Sequence, residues 1–388
     1  MPYISNLEYF LVFILLLSSG SPLVIYIGKF VYIPMAIYSV YKLSGKGESS
    51  TEKDSFIKII RTLLILAFLL FALQYLEFGS FAFADNVLFI CKILFGGYVY
   101  YVLGIRFKYA LMQILFALTI ISLICYSLVM TTGLPFQSSY SGGVTFLGLY
   151  CHRTGELRNC GAFWEPGVFA CYINFLFVLF SNDLRGLWTN HRKKFIVLVI
   201  GLLSTQSTTG YLVFAFIVAL YFLLVLRSRW RYILIPLFSV VVIYSFVRLD
   251  FLHSKILEQN SRAEMAAGEY DSSRIGAFIF DLYYIQKRPF IGNGLSLDTQ
   301  YDEHKDIIQM WKDRDVDMNG NGLSSFTMSM GIPFLIILFI LFWRNNNGIS
   351  VKIKVLAILS ILLMLNGEPL MLYPMLLSLS FIRYEENT

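Results

Sequence analysis

The chain has 388 residues, of which 57% are hydrophobic, 17% are aromatic and only 14% are charged, with a formal net charge of +6. Because a soluble domain is roughly 45–50% apolar and about 25% charged, this composition excludes a soluble enzyme, a disordered protein, a coiled coil and a disulfide-stapled secreted domain. The mean hydropathy of +0.66 predicts an all-α polytopic membrane protein. The positive charge lies between the apolar runs, which is typical of membrane topology and gives no indication of nucleic-acid binding.

The apolar runs predict about twelve transmembrane helices within a single integral membrane domain that covers residues 1–388. A span needs about 20 mostly apolar residues, and shorter spans occur inside bundles. The predicted spans are 7–19, 23–42, 57–77, 86–105, 109–130, 166–181, 195–207, 211–227, 232–248, 323–343, 353–366 and 369–383. The short pairs 195–207/211–227 and 353–366/369–383 are each compatible with two short helices or with one helix pair that dips into the membrane and out again.

The basic residues predict the orientation of these spans. One set of loops carries Lys and Arg residues near positions 42–58, 106–108, 185–194, 227–231, 344–354 and 383, whereas the opposite short loops near 20, 80, 208 and 367 carry none. Cytoplasmic loops are enriched in Lys and Arg. The sequence therefore predicts that both termini are cytoplasmic.

Two predicted external segments are long, at residues 131–165 and 249–322. Loops beyond about 12–15 residues usually carry function or structure of their own. The second loop is predicted to be partly helical, at 251–259 and at 274–286, where Ile275, Phe278, Ile279 and Leu282 give an amphipathic pattern. Gly292-Asn293-Gly294 after Pro289 is a turn signature.

The first external loop ends in residues that suit an anionic substrate. Arg153 and Arg158 are its only Lys or Arg residues, and Trp164-Glu165 directly precede Pro166-Gly167 at the start of an apolar run. Proline is well tolerated in a first helical turn, so Glu165 is predicted at a helix N-terminus near the membrane surface. Trp164 is equally compatible with an aromatic anchor at the interface, and Glu165 with a simple helix-end charge.

The second external loop contributes Arg274, at the start of a predicted helix, and Arg288. A guanidinium suits phosphate because its planar fork donates two parallel charge-assisted hydrogen bonds. Arginines from two external loops would together form a site for a lipid-linked pyrophosphate. Arg274 is also compatible with a surface arginine paired with an acid such as Asp271.

These motifs resemble the Wzy-type O-antigen and capsular polysaccharide polymerases, within the superfamily that includes the O-antigen ligases. The resemblance rests on Arg158 with the following Phe163–Ala170 block, on Ser204–Gly210, on Arg274 ahead of Arg288–Gly294, and on Asn321-Gly322-Leu323 ten residues before Gly331-Ile332-Pro333. The plan of about a dozen spans with two external loops extends it to essentially the whole chain.

The resemblance implies a metal-independent membrane glycosyltransferase of the bacterial inner membrane, with no cofactor and an active site on the periplasmic face. Its substrates would be undecaprenyl-diphosphate-linked oligosaccharides, joined with inversion at the anomeric centre, and a chain-length regulator is a possible partner. Arg158 and Arg274 would hold the donor pyrophosphate, with Arg288 as a weaker candidate, and Glu165 would act as base or orient the acceptor hydroxyl. The further candidates for substrate contacts are Arg153, Trp164, His304 and Asn321.

One departure from the family favours polymerase over ligase. Ligases tend to carry a His-Asn pair at the start of the span after the large loop, where the histidine is the proposed base, and this chain has Gly320-Asn321 there. His304 is not an obvious replacement, so the general base stays open. A lipid-linked oligosaccharide flippase is the alternative from another class, but the spans are nearly free of central charge, which favours chemistry at one face.

Three smaller features leave alternatives open. Cys151 and Cys160 in the first external loop could form a disulfide or remain small loop residues. Ser204–Gly210 could contact substrate or serve close helix packing. Asn366–Pro369 is predicted to form a tight turn, with lining of the sugar path as the second interpretation.

Overall fold

The computed structural model describes residues 3–44, 51–132, 138–140, 143–147, 149–153, 158–225, 274–303 and 321–385. Helices dominate this part of the chain. The helices before the first external loop are α1 (Asn6–Leu17), α2 (Pro22–Ser44), α3 (Thr51–Phe78), α4 (Phe83–Leu103) and α5 (Phe107–Thr132). Those after it are α6 (Pro166–Leu179), α7 (Leu184–Asn190), α8 (Arg192–Ser204), α9 (Thr208–Leu220), α10 (Arg274–Lys287), α11 (Leu297–Gln300), α12 (Gly322–Asn345), α13 (Val351–Leu365) and α14 (Pro374–Leu377).

The first external loop contains a small antiparallel sheet that the sequence analysis did not predict. Its strands are β1 (Ser138–Tyr140), β2 (Gly143–Phe146) and β3 (Tyr150–Arg153), in the order β1-β2-β3. The backbone N–H of Cys151 donates to the carbonyl oxygen of Gly161 at 2.6 Å, so the sheet is tied to the segment that leads into α6.

Among the described residues, three helical stretches are long and apolar enough to cross a membrane, and a fourth qualifies if α6 and α7, joined at a bend of 102°, count as one span. The longest stretch, Phe83–Thr132, has 50 residues. At 1.5 Å per residue it would be about 75 Å long, more than twice the ~30 Å of a bilayer core. A 3-10 turn at Gly104, where φ is +50°, separates it into α4 and α5, as two predicted spans require. These are the helices of a multi-pass membrane protein, while the count of twelve spans stays a prediction.

Two of the predicted spans are not seen as transmembrane helices in the described part of the chain. Residues 232–248 lie outside the described part of the chain. The last one, 369–383, is not a transmembrane helix, because it holds only the four residues of α14 and a 3-10 turn at Leu379–Phe381. Pro369 and Pro374 each remove a backbone donor from this short segment, which shortens any helix that could form.

The described residues form two compact units, within Met1–Leu111, Phe278–Asn347 and Pro369–Arg383 for the first unit and Met112–Ala277, Gly348–Glu368 and Tyr384–Thr388 for the second. In the first unit α4 packs against α1, α2 and α14. Its Gly96 and Gly97 allow this approach, because a Cβ at Gly96 would clash with Ser378 and one at Gly97 would lie 2.9 Å from the Phe381 ring. Small residues of this kind are typical of helix contacts in membranes.

The second unit is organised around α6, which packs against α8, α9 and α13. All fourteen residues of α6 are buried, as expected for a helix that is apolar on every side. Asn174 near its middle donates from Nδ2 to the carbonyl oxygen of Gly210 at 2.8 Å. A Cβ at Gly210 would lie 2.5 Å from that of Ala170, so α6 and the start of α9 are in close backbone contact.

In the first unit α12 is broken at Gly331, whose φ of +76° and ψ of 158° are not helical. Because Pro333 has no N–H and the N–H of Ile332 donates instead to Pro289, the carbonyls of Met328 and Ser329 lose their normal helical donors. The turn at Asn293-Gly294 supplies replacements, since its two backbone N–H groups donate to Met328 and Ser329 at 2.8 and 3.0 Å. Two motifs that the sequence shows separately, Gly292–Gly294 and Gly331–Pro333, are therefore parts of one structural contact.

Candidate active site

Arg158, the first predicted pyrophosphate ligand, is anchored on the turn between α8 and α9. Its Nε donates to the carbonyl oxygen of Thr205 at 3.2 Å. The next residue, Asn159, is fully buried and donates from its backbone N–H to the Ser204 carbonyl at 3.1 Å and from Nδ2 to the Ser204 hydroxyl at 2.9 Å. Two consecutive residues of the first external loop are thus fixed on one turn of the second unit.

The turn itself has an unusual backbone. Gln206 lies between α8 and α9 with φ of +48°, in the left-handed region that non-glycine residues rarely adopt. Ser207 caps α9 by accepting a hydrogen bond from the N–H of Gly210 at 3.1 Å. Residues held in such conformations cluster at binding and active sites, where the surrounding structure maintains them. The segment Ser204–Gly210 therefore does more than pack, since it also positions Arg158.

Glu165 is the N-cap residue of α6, and Pro166 occupies the first helical position. This confirms the predicted helix start, and the helix dipole places a partial positive charge at this end. The Glu165 side chain makes no capping hydrogen bond to the first turn. Both Trp164 and Glu165 are half-buried, so neither is a fully exposed interface residue.

A second carboxylate, Glu368, lies against the same helix end. Its side chain is only 1% exposed, and a Cβ added to Gly167 would clash with its carboxylate. The preceding residue, Gly367, lies against Thr209 in the same way, because a Cβ at Gly367 would clash with the Thr209 methyl group. The start of α6, the turn that holds Arg158 and the segment 366–368 are therefore in contact, and together they form the N-terminal cluster of α6.

We expect Gly167→Ala to destabilise this cluster by about 1–3 kcal/mol, the usual cost of overpacking a filled site. The methyl group would displace the buried Glu368 carboxylate from the surroundings that stabilise it, and a buried polar group that loses its partners is costly. The measurement is the apparent Tm of the purified protein in detergent. Glu368→Ala in the Gly167→Ala background is the matched control, because removing the carboxylate makes room for the methyl group. Strictly additive losses in this double-mutant cycle would show that the two positions do not interact.

Arg274 begins α10, and the helix predicted over 274–286 is confirmed as Arg274–Lys287. Three apolar residues of the pattern point outward, since Phe278, Ile279 and Leu282 are 42%, 61% and 37% exposed. The opposite face carries Asp281, which is fully buried. In a soluble protein the apolar face of a helix is buried against the core. An exposed apolar face of this kind is typical of a helix in contact with lipid.

At the C-terminal end of α10, Glu303 contacts two residues of the helix. It accepts a hydrogen bond from the Tyr283 hydroxyl at 2.6 Å and forms an ion pair with Lys287. These contacts raise the pKa of Tyr283 and of Lys287, chiefly through the hydrogen bonds to Glu303. Lys287 therefore remains a cation over the whole physiological pH range.

Arg288 follows α10 and is surrounded by partners from its own unit. Its Nη1 donates to Asn293 Oδ1 at 2.9 Å, its Nη2 to Asp302 Oδ2 at 3.2 Å, and its Nε to Glu77 Oε1 at 3.3 Å. The guanidinium carbon also lies 4.7 Å from the centre of the Phe78 ring. This environment favours a structural role for Arg288. It holds the turn at Asn293, whose backbone N–H groups supply the hydrogen bonds that are missing at the break in α12.

Asn321, another predicted substrate contact, is the N-cap residue of α12. Its side chain accepts a hydrogen bond from the N–H of Ser324 at 3.1 Å, and it is buried. The Ser324 hydroxyl donates to Asp281 at 2.5 Å, and Tyr301 donates to the other oxygen of the same carboxylate at 3.3 Å. The start of α12 and the middle of α10 are therefore joined through one buried carboxylate.

The convergence of Arg158 and Arg274 on one diphosphate stays a prediction. The side chains of Arg153 and Arg274, and His304 as a whole, lie outside the described residues. The described backbone places Arg153 at the end of β3 and Arg274 at the start of α10.

Cys151 and Cys160 are both free cysteines and both buried, which decides the alternative that the sequence left open. Burial raises the pKa of the Cys151 thiol, so this group stays protonated at neutral pH. Among the residues that the structure describes, no group of three or more His, Cys, Asp or Glu side chains could hold a metal ion.

Two buried carboxylates were missed as candidate site residues. From the sequence, Glu368 is predicted only as part of the Asn366–Pro369 turn, with lining of the sugar path as the second interpretation, and Asp281 is not singled out. Asp281 follows Arg274 by seven residues, about two helical turns, so both positions lie on one face of α10. That spacing was visible in the sequence, but which face is buried was not.

Residues 195–339 match the family model described as O-Antigen ligase. The matched segment is just over a third of the chain, and it includes the turn that holds Arg158, the helix α10 and the contact between Gly292–Gly294 and Gly331–Pro333. No curated protein matches the chain. The resemblance drawn from the motifs is thus confirmed: through residues 195–339 this chain is similar to the O-antigen ligase family, within the O-antigen ligase and polymerase superfamily.

Proposed function

We propose that this protein polymerises undecaprenyl-diphosphate-linked oligosaccharide repeat units into O-antigen or capsular polysaccharide at the periplasmic face of the inner membrane. The family match supports the broader class, a membrane glycosyltransferase-like enzyme of the ligase and polymerase type. The observation that carries the proposal is the N-terminal cluster of α6. In it the turn that holds Arg158 contacts α6, a helix that begins at Pro166 with Glu165 as its N-cap.

The proposed reaction is an inverting glycosyl transfer. A hydroxyl at the non-reducing end of a lipid-linked repeat unit attacks the anomeric carbon of the growing glycan, and the bond from that carbon to the diphosphate oxygen breaks. The hydroxyl proton passes to a carboxylate base, and the bonding electrons leave with undecaprenyl diphosphate. Arg158 and Arg274 would stabilise the charge that develops on this leaving group, which is the type of contribution that preorganised donors make.

Glu165 is the proposed base or acceptor-orienting residue. It is half-buried at the start of α6, so it combines partial access with a fixed backbone. A general base must come within hydrogen-bond distance of the proton that it removes. Glu368 is 1% exposed and lies against Gly167, which suits a residue that supports the helix start.

The ligase is the closest alternative, and the matched family model bears its name. Asn321 caps α12 through its side chain, and the residue before it is a glycine in place of the histidine that the resemblance leads one to expect in ligases. The absence of that histidine from the sequence supports a polymerase.

A flippase is favoured by one feature, a lysine inside α4. Lys92 is the tenth residue of this helix, and its Nζ lies 5.3 and 5.5 Å from the centres of the Tyr32 and Tyr373 rings. Ionisable residues inside spans often mark a transport path. Contacts with two aromatic rings stabilise a desolvated cation, each by up to about 2 kcal/mol, so that packing accounts for Lys92 within its own unit.

Deleting the gene and examining the surface polysaccharide separates the three functions. We expect the deletion strain to carry single repeat units without a ladder, and the wild-type gene to restore the ladder. A ladder that persists but is not attached to lipid A core would identify a ligase instead. Loss of single repeat units from the outer face would identify a flippase, and in that case Lys92→Met should abolish complementation, whereas a polymerase should retain it.

A further inference from the structure

The second unit contains an apolar groove at the bend between α6 and α7. Its volume is about 360 Å³, within the roughly 300–1,000 Å³ of small-molecule sites. Phe177, Trp188, Phe214 and Val218 contribute to its wall, and among the described residues that line it Arg185 is the one with a charge.

The aromatic wall of this groove is held in place by ring contacts. The Phe195 ring lies 5.3 Å from that of Phe177 and 5.4 Å from that of Trp188, measured between centroids, and Phe177 lies 5.4 Å from Phe214. Rings at such separations support one another. The groove is therefore formed before any ligand enters.

The chain segment that forms α7 and the start of α8 is strongly basic. Residues 182–195 contain four cations, Arg185, Arg192, Lys193 and Lys194, and one carboxylate, Asp183. Asp183 is used as the cap of α7, where it accepts a hydrogen bond from the N–H of Gly186 at 2.9 Å. Arg192 lies over the Trp188 ring at 4.9 Å, so one of the cations is attached directly to the aromatic wall.

The bend and the residue types beside this groove are those expected at a membrane interface. The bend of 102° turns the chain from α6, which lies within the apolar core of its unit, into the short α7. Trp188 is 42% exposed on α7, and arginine, lysine and tryptophan side chains are characteristic of the membrane interface.

We propose that this groove binds an anionic phospholipid, with one acyl chain against the ring of Trp188 and the phosphate at Arg185 and Arg192. Basic clusters next to spans attract anionic headgroups, and basic pockets between helices hold them specifically. The apolar wall excludes a free phosphate as the main ligand, because such an ion would gain nothing from the aromatic rings. The positive-inside pattern predicts that this loop lies in the cytoplasmic leaflet, where such a lipid would fix the bend between α6 and α7.

The test uses the full-length protein purified in detergent and titrated with phosphatidylglycerol whose acyl chains carry bromine, a quencher of tryptophan fluorescence. We expect quenching with a saturable component that Trp188→Phe removes, leaving only the quenching of the other four tryptophans, while brominated phosphatidylcholine gives the saturable component only at higher mole fraction. The double variant Arg185→Gln/Arg192→Gln should weaken the apparent affinity for phosphatidylglycerol about five- to twenty-five-fold, since each lost cation accounts for roughly a factor of five. Val218→Phe, which fills the groove, should reduce the extent of quenching.

Lys352→Gln is the matched control, because it removes an exposed cation from α13 in the same unit. The apparent affinity of this variant for phosphatidylglycerol should equal that of the wild-type protein. Equal quenching by the two brominated lipids, or an unchanged affinity in the double variant, would contradict the headgroup site. Unbrominated undecaprenyl phosphate is added as a competitor. If it displaces the brominated lipid at lower concentration than phosphatidylglycerol does, the groove belongs to the polyprenyl carrier and the proposal is wrong.

Discussion

Arg158→Ala is expected to lower the rate of chain elongation by the purified protein on lipid-linked repeat units about 10²–10³-fold, the typical cost of removing one donor that stabilises a developing negative charge. The guanidinium is anchored to Thr205 through Nε, and its five donors allow one group to be anchored and to bind an anion at the same time. The hypothesis of a two-arginine clamp predicts a loss of similar size for Arg274→Ala.

Arg158→Lys separates charge from geometry. Lysine keeps the positive charge but lacks both the planar fork and the Nε donor that contacts Thr205, so we expect it to recover only part of the activity. Arg344→Ala is the control, since Arg344 is an exposed residue in the last turn of α12 and should elongate chains at the wild-type rate. Full chain-length ladders from Arg158→Ala in the deletion strain would refute the assignment of Arg158 to the pyrophosphate.

Gly331→Ala is expected to have the largest effect on stability, at least about 3 kcal/mol. Two costs combine. The backbone of Gly331 has φ of +76° and ψ of 158°, a conformation that residues with a side chain avoid. In addition, a Cβ would clash with the carbonyl oxygen of Phe290. Because that atom belongs to the backbone, it cannot move without breaking the contact between the turn at Gly292 and α12. The measurement is the apparent Tm in detergent, together with the amount of folded protein in the membrane.

Gly79→Ala separates the two costs. Gly79 also has a positive φ, of +64°, but a Cβ there would meet no atom within 4 Å, so only the conformational cost of a left-handed backbone, about 1–2 kcal/mol, remains. We expect a small decrease in apparent Tm for Gly79→Ala and a much larger one for Gly331→Ala. Equal decreases would show that the contact with the turn at Gly292 contributes nothing.

Burial within the helices could be predicted only in part. The sequence identified the helix over Arg274–Lys287 from its apolar spacing, yet it could not show that Phe278 and Ile279 face outward while Asp281 is buried. In a soluble protein the apolar stripe marks the core. In a membrane protein lipid is another apolar environment, so hydrophobicity alone does not distinguish the inner face from the outer one.

The residues of the candidate site could also be predicted only in part from the sequence. Arg158 and Glu165 could be proposed from residue types at the edge of a span, because few charged residues occur there and a guanidinium suits phosphate. The Thr205 carbonyl that accepts the hydrogen bond of Arg158 is 47 positions away along the chain. The Glu368 carboxylate lies against Gly167, two residues after Glu165, and is 201 positions from that glycine. No local pattern relates residues so far apart.

By itself the sequence determined that this is a helical membrane protein with motifs of the O-antigen ligase and polymerase superfamily, because composition, the lengths of apolar runs and short motifs are properties of the amino-acid sequence alone. Only the tertiary structure decided which motifs act together: the turn at Gly292–Gly294 supplies the hydrogen bonds that the break at Gly331–Pro333 leaves unmade. It also decided that the segment 369–383 does not form a membrane-spanning helix. The physical reason is that backbone groups inside a membrane protein must find partners within the protein, and those partners come from distant parts of the chain.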